Sequence, residues 1–131
     1  MRFDSDKISY SNLLHHYWRN IDPLDGQGQF CDRGDSYRPV IFTAGEQQAT
    51  AAQSSAASAA SELGVSKSKI KVQIRDAVQF WPAEDYHQDY ANKNELRYRY
   101  YRFSCGRDRR LDAVWGERAR WGTAWVTPVV P

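Results

Sequence analysis

The residue types able to do chemistry gather in three places along the chain. Cys31, Asp32 and Tyr37 lie in a stretch punctuated by Gly26, Gly28 and Gly34. A tyrosine hydroxyl donates a hydrogen bond, and an aspartate orients a water or shares a proton, so Asp32 and Tyr37 together suit holding a polar oxygen. From the residues alone the plainer reading is stronger: Asp32 shapes a turn in a glycine-rich loop, and Tyr37 packs at the start of a strand. Glu84, Asp85 and His87, with Tyr86 among them, invite an acid–base reading. Acids in the first turn of a short helix after Pro82 also complement the helix dipole, and that structural role is preferred. Cys105 stands in a basic, aromatic tail. In a reducing compartment a lone cysteine is usually a buried small hydrophobe, and Cys31 reads as an incidental loop thiol or as a partner for Cys105. Cys31, Cys105, His15, His16 and His87 show no zinc spacing, so no metal or other cofactor is expected.

Elements positioning these groups follow from periodicity. Tyr10, Leu13, Leu14, Tyr17, Trp18 and Ile21 share one helical face, which predicts a helix over 9–21 with Ser9 or Ser11 as its cap. Met1 to Asp4 reads as the end of a strand. Residues 22–38 read as a loop, long enough to be functional. Val40-Ile41-Phe42 predicts a short buried strand. Ala49, Ala52, Ala56, Ala59, Ala60 and Leu63 line one face of a helix from Glu46 to Leu63, closed by Gly64. Ile70, Val72 and Ile74 alternate with Lys69, Lys71 and Gln73 as a half-buried strand. A short helix is expected over Ala83–Asn92. From Arg97 onward the pattern has no clear period and reads as an edge strand or a solvated tail. The alternation of strands and helices predicts an α+β fold.

Composition bounds the function classes. A chain of 131 residues holds one domain, and 41% hydrophobic with 26% charged residues is a globular composition. Net charge is only +2, too mild to imply nucleic acid by itself. The run Arg97-Tyr98-Arg99-Tyr100-Tyr101-Arg102-Phe103, followed by Arg107, Arg109 and Arg110, supports an RNA-binding alternative. No module signature accompanies it, and the solvated reading is preferred. No apolar run approaches the ~20 residues of a membrane span, so no membrane partner is expected. Acids at Asp4 and Asp6 stand where a signal peptide needs a basic and then an apolar segment, and a cytoplasmic location is expected.

The segment Phe80-Trp81-Pro82-Ala83-Glu84-Asp85-Tyr86-His87-Gln88 closely resembles the signature of A-type peptide-methionine (S)-S-oxide reductases, with Trp81 in place of tyrosine. Three further segments agree in order: Asp4 through Trp18, then Asp22-Pro23 with Asp32-Arg33-Gly34-Asp35-Ser36-Tyr37-Arg38, then Arg99-Tyr100-Tyr101-Arg102 with Ser104-Cys105-Gly106-Arg107-Asp108. The resemblance covers residues 1–116 as one domain and leaves 117–131 as an unassigned tail. It implies a two-layer α/β sandwich with a ferredoxin-like core, shortened at the N-terminus. It implies thiol-dependent reduction of methionine-S-sulfoxide, free or in proteins, as protein repair under oxidative stress, with thioredoxin as reductant. Asp32 and Tyr37 then match loop residues that hold the sulfoxide oxygen or a water beside it. Glu84, Asp85, Tyr86 and His87 match a segment supporting the substrate site. Cys105 matches a resolving thiol, and Cys31 is a weaker thiol candidate. The family's nucleophile lies in a Gly-Cys-Phe-Trp segment and a catalytic glutamate in a Gly-His-x-Glu segment; neither segment occurs in the 131 residues. The chain is therefore expected to be inactive alone, with a non-catalytic remnant that at most binds oxidised methionine as the alternative.

Overall fold

A computed structural model describes residues 3–120. Its first helix, α1, spans Tyr10–Arg19, and Ser9 caps it by accepting from the Asn12 amide at 3.1 Å. Leu14 and Trp18, four residues apart, point inward and are nearly fully buried. The strand expected to end at Asp4 is not seen: Phe3 and Asp4 have no strand pairing, and a turn follows in which the Lys7 and Ile8 amides bond the Asp4 carbonyl. Residues 1–2 of that expectation lie outside the described part.

The loop that follows contains a two-residue ladder, β1 at Gly28–Gln29 against β2 at Asp32–Arg33. A short turn of 3₁₀ helix at Asp35–Tyr37 leads into strand β3, Val40–Thr43. Helix α2, Glu46–Glu62, crosses to strand β4, Gln73–Asp76, which lies parallel to β3 with Ile41 opposite Ile74. This strand–helix–strand unit makes the fold α+β. The half-buried alternation expected over Lys69–Ile74 holds in burial, but the ladder starts only at Gln73. Upstream, the Lys71 amide is bound instead by the Pro23 carbonyl at 2.7 Å. Gly64, at φ +65°, turns the chain after α2 as expected.

The C-terminal third departs from expectation. Only Tyr90–Lys93 (α3) is helical in the stretch where a helix over Ala83–Asn92 was expected. Consecutive turns bind the His87 amide to the Glu84 carbonyl and the Gln88 amide to that of Asp85, and Asp89 sits at φ +55°, left-handed backbone that interrupts a helix. The tail expected as strand or coil is two helices, α4 at Glu95–Ser104 and α5 at Arg107–Trp115. Helix α4 buries none of its side chains, so no apolar period marks it; its Glu95–Arg99 ion pair, one turn apart, supports it locally. Helix α5 buries only Leu111 and Trp115. Of the tail expected from residue 117, Ala119 joins the core and residues 121–131 lie outside the described part.

Small residues decide how these pieces pack. Ala52, Ala56, Ala59 and Ala60 on α2 are buried, which lets α1 approach closely enough for Trp18 Nε1 to donate to Ser55 Oγ at 2.9 Å. Leu111, Trp115 and Ala119 close the same core, with Trp115 Nε1 donating to the Ile21 carbonyl at 2.9 Å. A charged pair sits in this interface: both Glu62 carboxylate oxygens accept from Arg19 Nη2 at 2.7 Å. The Arg19 guanidinium lies 5.4 Å from the Trp115 ring, and Arg118 also donates to Glu62, at 2.5 Å. Truncating Glu62 removes the acceptor that Arg19 and Arg118 share in this interface. Glu62→Ala is expected to cost about 1.5–3 kcal/mol in urea-induced unfolding, where a solvent-exposed pair would cost under about 1 kcal/mol.

Candidate functional site

Two halves of the chain far apart in sequence meet at the glycine-rich loop. Phe30 and Cys31 form the tight turn between β1 and β2, with Phe30 at φ +56°, a conformation that costs a residue with a side chain roughly 1–2 kcal/mol. Three contacts hold it. The Arg107 guanidinium lies 4.5 Å from the Phe30 ring centroid. Cys31 is disulfide-bonded to Cys105, with Cα atoms 5.3 Å apart. Tyr101 Oη donates to Asp32 Oδ2 at 2.5 Å. Gly28 is required here by space: a Cβ would lie 2.1 Å from the Asp32 carbonyl oxygen.

The loop base is fixed as firmly. Asp22 is buried, and its Oδ2 accepts from Arg110 Nε at 2.6 Å. Gln29 clamps the same residue, its Oε1 accepting from the Asp22 amide at 2.9 Å and its Nε2 donating to the Asp22 carbonyl at 2.8 Å. Arg33 bridges back to Asp25. Arg102 and Asp108 pair across the α4–α5 corner, which holds the Asp108 carboxyl below its ordinary range.

The Asp32 hydrogen bond, partial burial and the Asp32 charge, with a smaller contribution from nearby Tyr37, push the Tyr101 phenol up to about 12. Tyr101 therefore remains a donor throughout the neutral range. Tyr37 is half exposed, at the end of its 3₁₀ turn, with its amide bonded to the Gly34 carbonyl. It packs less than a tyrosine buried at a strand start would.

Of the residues singled out in the sequence, Cys31, Asp32, Tyr37 and Cys105 thus come together. The expectation of buried, unreacted thiols is not met: Cys31 is exposed, Cys105 is half-buried and they are bonded to each other. Glu84, Asp85, Tyr86 and His87 form a separate exposed cluster. His87 Nδ1 lies 3.0 Å from Glu84 Oε2, the His87 ring 4.3 Å from that of Tyr86, and Gln88 Nε2 donates to the Ala83 carbonyl at 2.6 Å. A cleft of about 310 Å³ between α1 and α2, lined by Leu14, Trp18, Ala59 and Glu62, contains none of these residues. Among the described residues no group of three or more His, Cys, Asp or Glu is arranged to hold a metal ion, and no helix is long and apolar enough to cross a membrane. Sequence reasoning missed Tyr101, Arg107 and Arg110. Each acts across 69 residues or more, and no local pattern encodes such a partner.

The family model for peptide methionine sulfoxide reductase matches residues 1–119. The chain belongs to this family. Over 124 residues it is 44% identical to peptide methionine sulfoxide reductase MsrA 2 of Rhizobium meliloti (strain 1021), covering 95% of this chain and 61% of that protein. It is 48% identical over 114 residues to MsrA 2 of Caulobacter vibrioides, covering 87% of this chain and 57% of that protein. It is also 44% identical over 114 residues to the MsrA/MsrB protein of Vibrio cholerae, covering 87% of this chain and 30% of that protein. The chain thus spans 61%, 57% and 30% of the lengths of these three relatives. Asp32 and Tyr37 lie on this loop, and Tyr101 reaches it from α4.

The Tyr101–Asp32 contact has a pH signature. A phenol whose pKa is raised on folding contributes stability in full below about pH 10, its unfolded value. That contribution is lost as pH rises through about 12. Urea unfolding is expected to weaken in the native chain across this interval more than in Tyr101→Phe; identical alkaline profiles would show that the bond does not persist.

Proposed function

We propose that the chain supplies the sulfoxide-holding half of a peptide-methionine (S)-S-oxide reductase site. The observation that carries this is the Tyr101–Asp32 hydrogen bond, which ties α4 to the loop that also carries Tyr37. Reduction of a sulfoxide by a thiol needs its oxygen held and protonated while the S–O bond breaks. Phenol donors beside a carboxylate suit this role. Tyr37 donates to the oxygen, and Asp32, which accepts from the Tyr101 hydroxyl, orients a water beside it. Methionine-S-sulfoxide, free or within proteins, is the substrate class, and the activity is repair of oxidised methionine.

The thiol step requires a nucleophile that attacks sulfur. Neither Cys31 nor Cys105 lies in a Gly-Cys-Phe-Trp context. The 131-residue chain by itself is thus expected to turn over slower than complete relatives by several orders of magnitude. Cys105 takes the resolving role in this reading, and thioredoxin the reducing one. Glu84, Asp85, Tyr86 and His87 support the site, and a cytoplasmic location goes with the same reading. The reductase domain in this reading takes in residues 1–119, three beyond the boundary expected at 116.

Recognition and turnover are separable experimentally. N-acetyl-methionine-S-sulfoxide amide is expected to shift the amide resonances of Asp32 and Tyr37, with the R epimer weaker and both effects lost in Asp32→Ala and in Tyr37→Phe. Equal response to the two epimers, or shifts elsewhere only, would contradict the assignment. A family-normal rate with dithiothreitol would instead contradict the expected slow turnover, and loss of that rate in Cys31→Ser would assign it to Cys31.

A further inference from the structure

The Cys31–Cys105 bond joins the residue beside Asp32 to the end of the helix that carries Tyr101. Cys31 is solvent-exposed at the tip of the β1–β2 turn. Cys105 follows the last residue of α4, its amide bonded to the Tyr101 carbonyl at 3.0 Å, and Arg107 begins α5 two residues on. The covalent link and the Tyr101–Asp32 hydrogen bond therefore span the same gap in parallel, between neighbouring residues of the loop and residues one helical turn apart on α4.

Alone, the hydrogen bond is weak restraint. Its donor and acceptor are both partly exposed, and water competes for each. The disulfide changes this by closing a separation of 74 residues and fixing Cα atoms at 5.3 Å. With the tip tethered, forming the Tyr101–Asp32 bond orders little further chain. Once the tip is released, Phe30 is held at positive φ by the Arg107 stacking and the short ladder alone.

We propose that the Cys31–Cys105 disulfide is a redox-addressable clamp: a dithiol reductant opens it, and opening frees the Asp32 carboxylate from Tyr101. This rests on the reading of Asp32 as a substrate-holding residue only for its consequence, not for its geometry. The thiolate of the dithiol attacks the exposed Cys31 sulfur, the Cys31–Cys105 bond breaks, and Cys105 leaves as a thiolate that takes up a proton. The second thiol of the reductant then displaces Cys31 from the mixed disulfide. Two electrons and two protons pass to the protein, and the reductant ends as a disulfide. The cations Arg102 and Arg107, three and two residues away in sequence, favour the departing Cys105 thiolate. In the oxidised chain Asp32 and Tyr101 are committed to each other; in the reduced chain the Asp32 carboxylate is free to accept from a water and the Tyr101 hydroxyl to donate to an incoming oxygen.

The test uses no sulfoxide, so it stands or falls apart from the reductase assignment. The air-oxidised 131-residue chain is titrated with dithiothreitol, free thiols are trapped with iodoacetamide and counted by intact mass, and circular dichroism follows the fold. Both thiols should appear together while the helical signal persists. Tyrosine absorbance in alkaline titration should show one phenol moving from about 12 in the oxidised chain towards about 10 in the reduced chain. That difference should vanish in Tyr101→Phe, and Cys31→Ser should titrate as the reduced form does. Free thiols in the air-oxidised protein would overturn the proposal. So would a bond that yields only as the chain unfolds, or phenol titrations that are the same in both redox forms.

Discussion

A segment with three glycines and few apolar side chains cannot order itself, because it buries too little surface to offset the loss of backbone freedom. The stretch from Asp22 to Tyr37 is such a segment, and the chemistry assigned to this protein depends on it. Its order comes from outside. Arg110 neutralises the buried Asp22, Lys71 bonds the Pro23 carbonyl, Arg107 covers Phe30, Cys105 bonds Cys31 and Tyr101 bonds Asp32. All but the Lys71 attachment come from the C-terminal helices and the corner between them. Those helices are anchored in turn by Leu111 and Trp115 in the core and by the paired Arg19, Glu62 and Arg118. Loop position is thus a consequence of helix packing far downstream in sequence.

The proposed sulfoxide-holding role gives this arrangement its meaning. A sulfoxide oxygen is a good acceptor that becomes a strong one as its bond to sulfur breaks, so donors fixed in advance stabilise the transition state without reorganising. Tyr101 donates its one hydroxyl proton to Asp32, so under that role Tyr37, on the same loop and half exposed, is the phenol left to donate to such an oxygen. Phe80, Trp81 and Tyr86, by contrast, are largely exposed among the described residues. The Glu84–His87 and Tyr86–His87 contacts organise their segment internally, which suits support of a neighbouring surface more than direct proton transfer.

The sequence made some of this legible and hid the rest for identifiable reasons. Helices α1 and α2 follow from local periodicity, since Leu14, Trp18 and the Ala52–Ala60 face carry the burial that their spacing implies; strand β3 forms where expected, but of Val40, Ile41 and Phe42 only Ile41 is buried and Phe42 is exposed. Helices α4 and α5 escaped because α4 buries nothing and α5 buries two residues, so the 3.6-residue period is weak where an ion pair and long-range contacts hold the helix. The helix expected after Pro82 failed because Asp89 adopts left-handed backbone, which periodicity does not report. Asp32 and Tyr37 were recognisable only through the motif around them. Tyr101 was read as part of a basic, aromatic run, because its partner lies 69 residues away.

Asp32 and Tyr37 can serve a substrate only if the loop is docked before that substrate arrives. Amide hydrogen exchange of the oxidised chain measures this directly, at the Gly34 amide bonded to the Gln27 carbonyl and the Lys71 amide bonded to that of Pro23. Docking predicts that both exchange at least about 100-fold more slowly than in an unstructured peptide, and that Arg110→Ala releases them while amides within α2 stay protected. Exchange at the unstructured rate in the native chain would mean that the loop is not held, and that Asp32 and Tyr37 are not positioned by this fold.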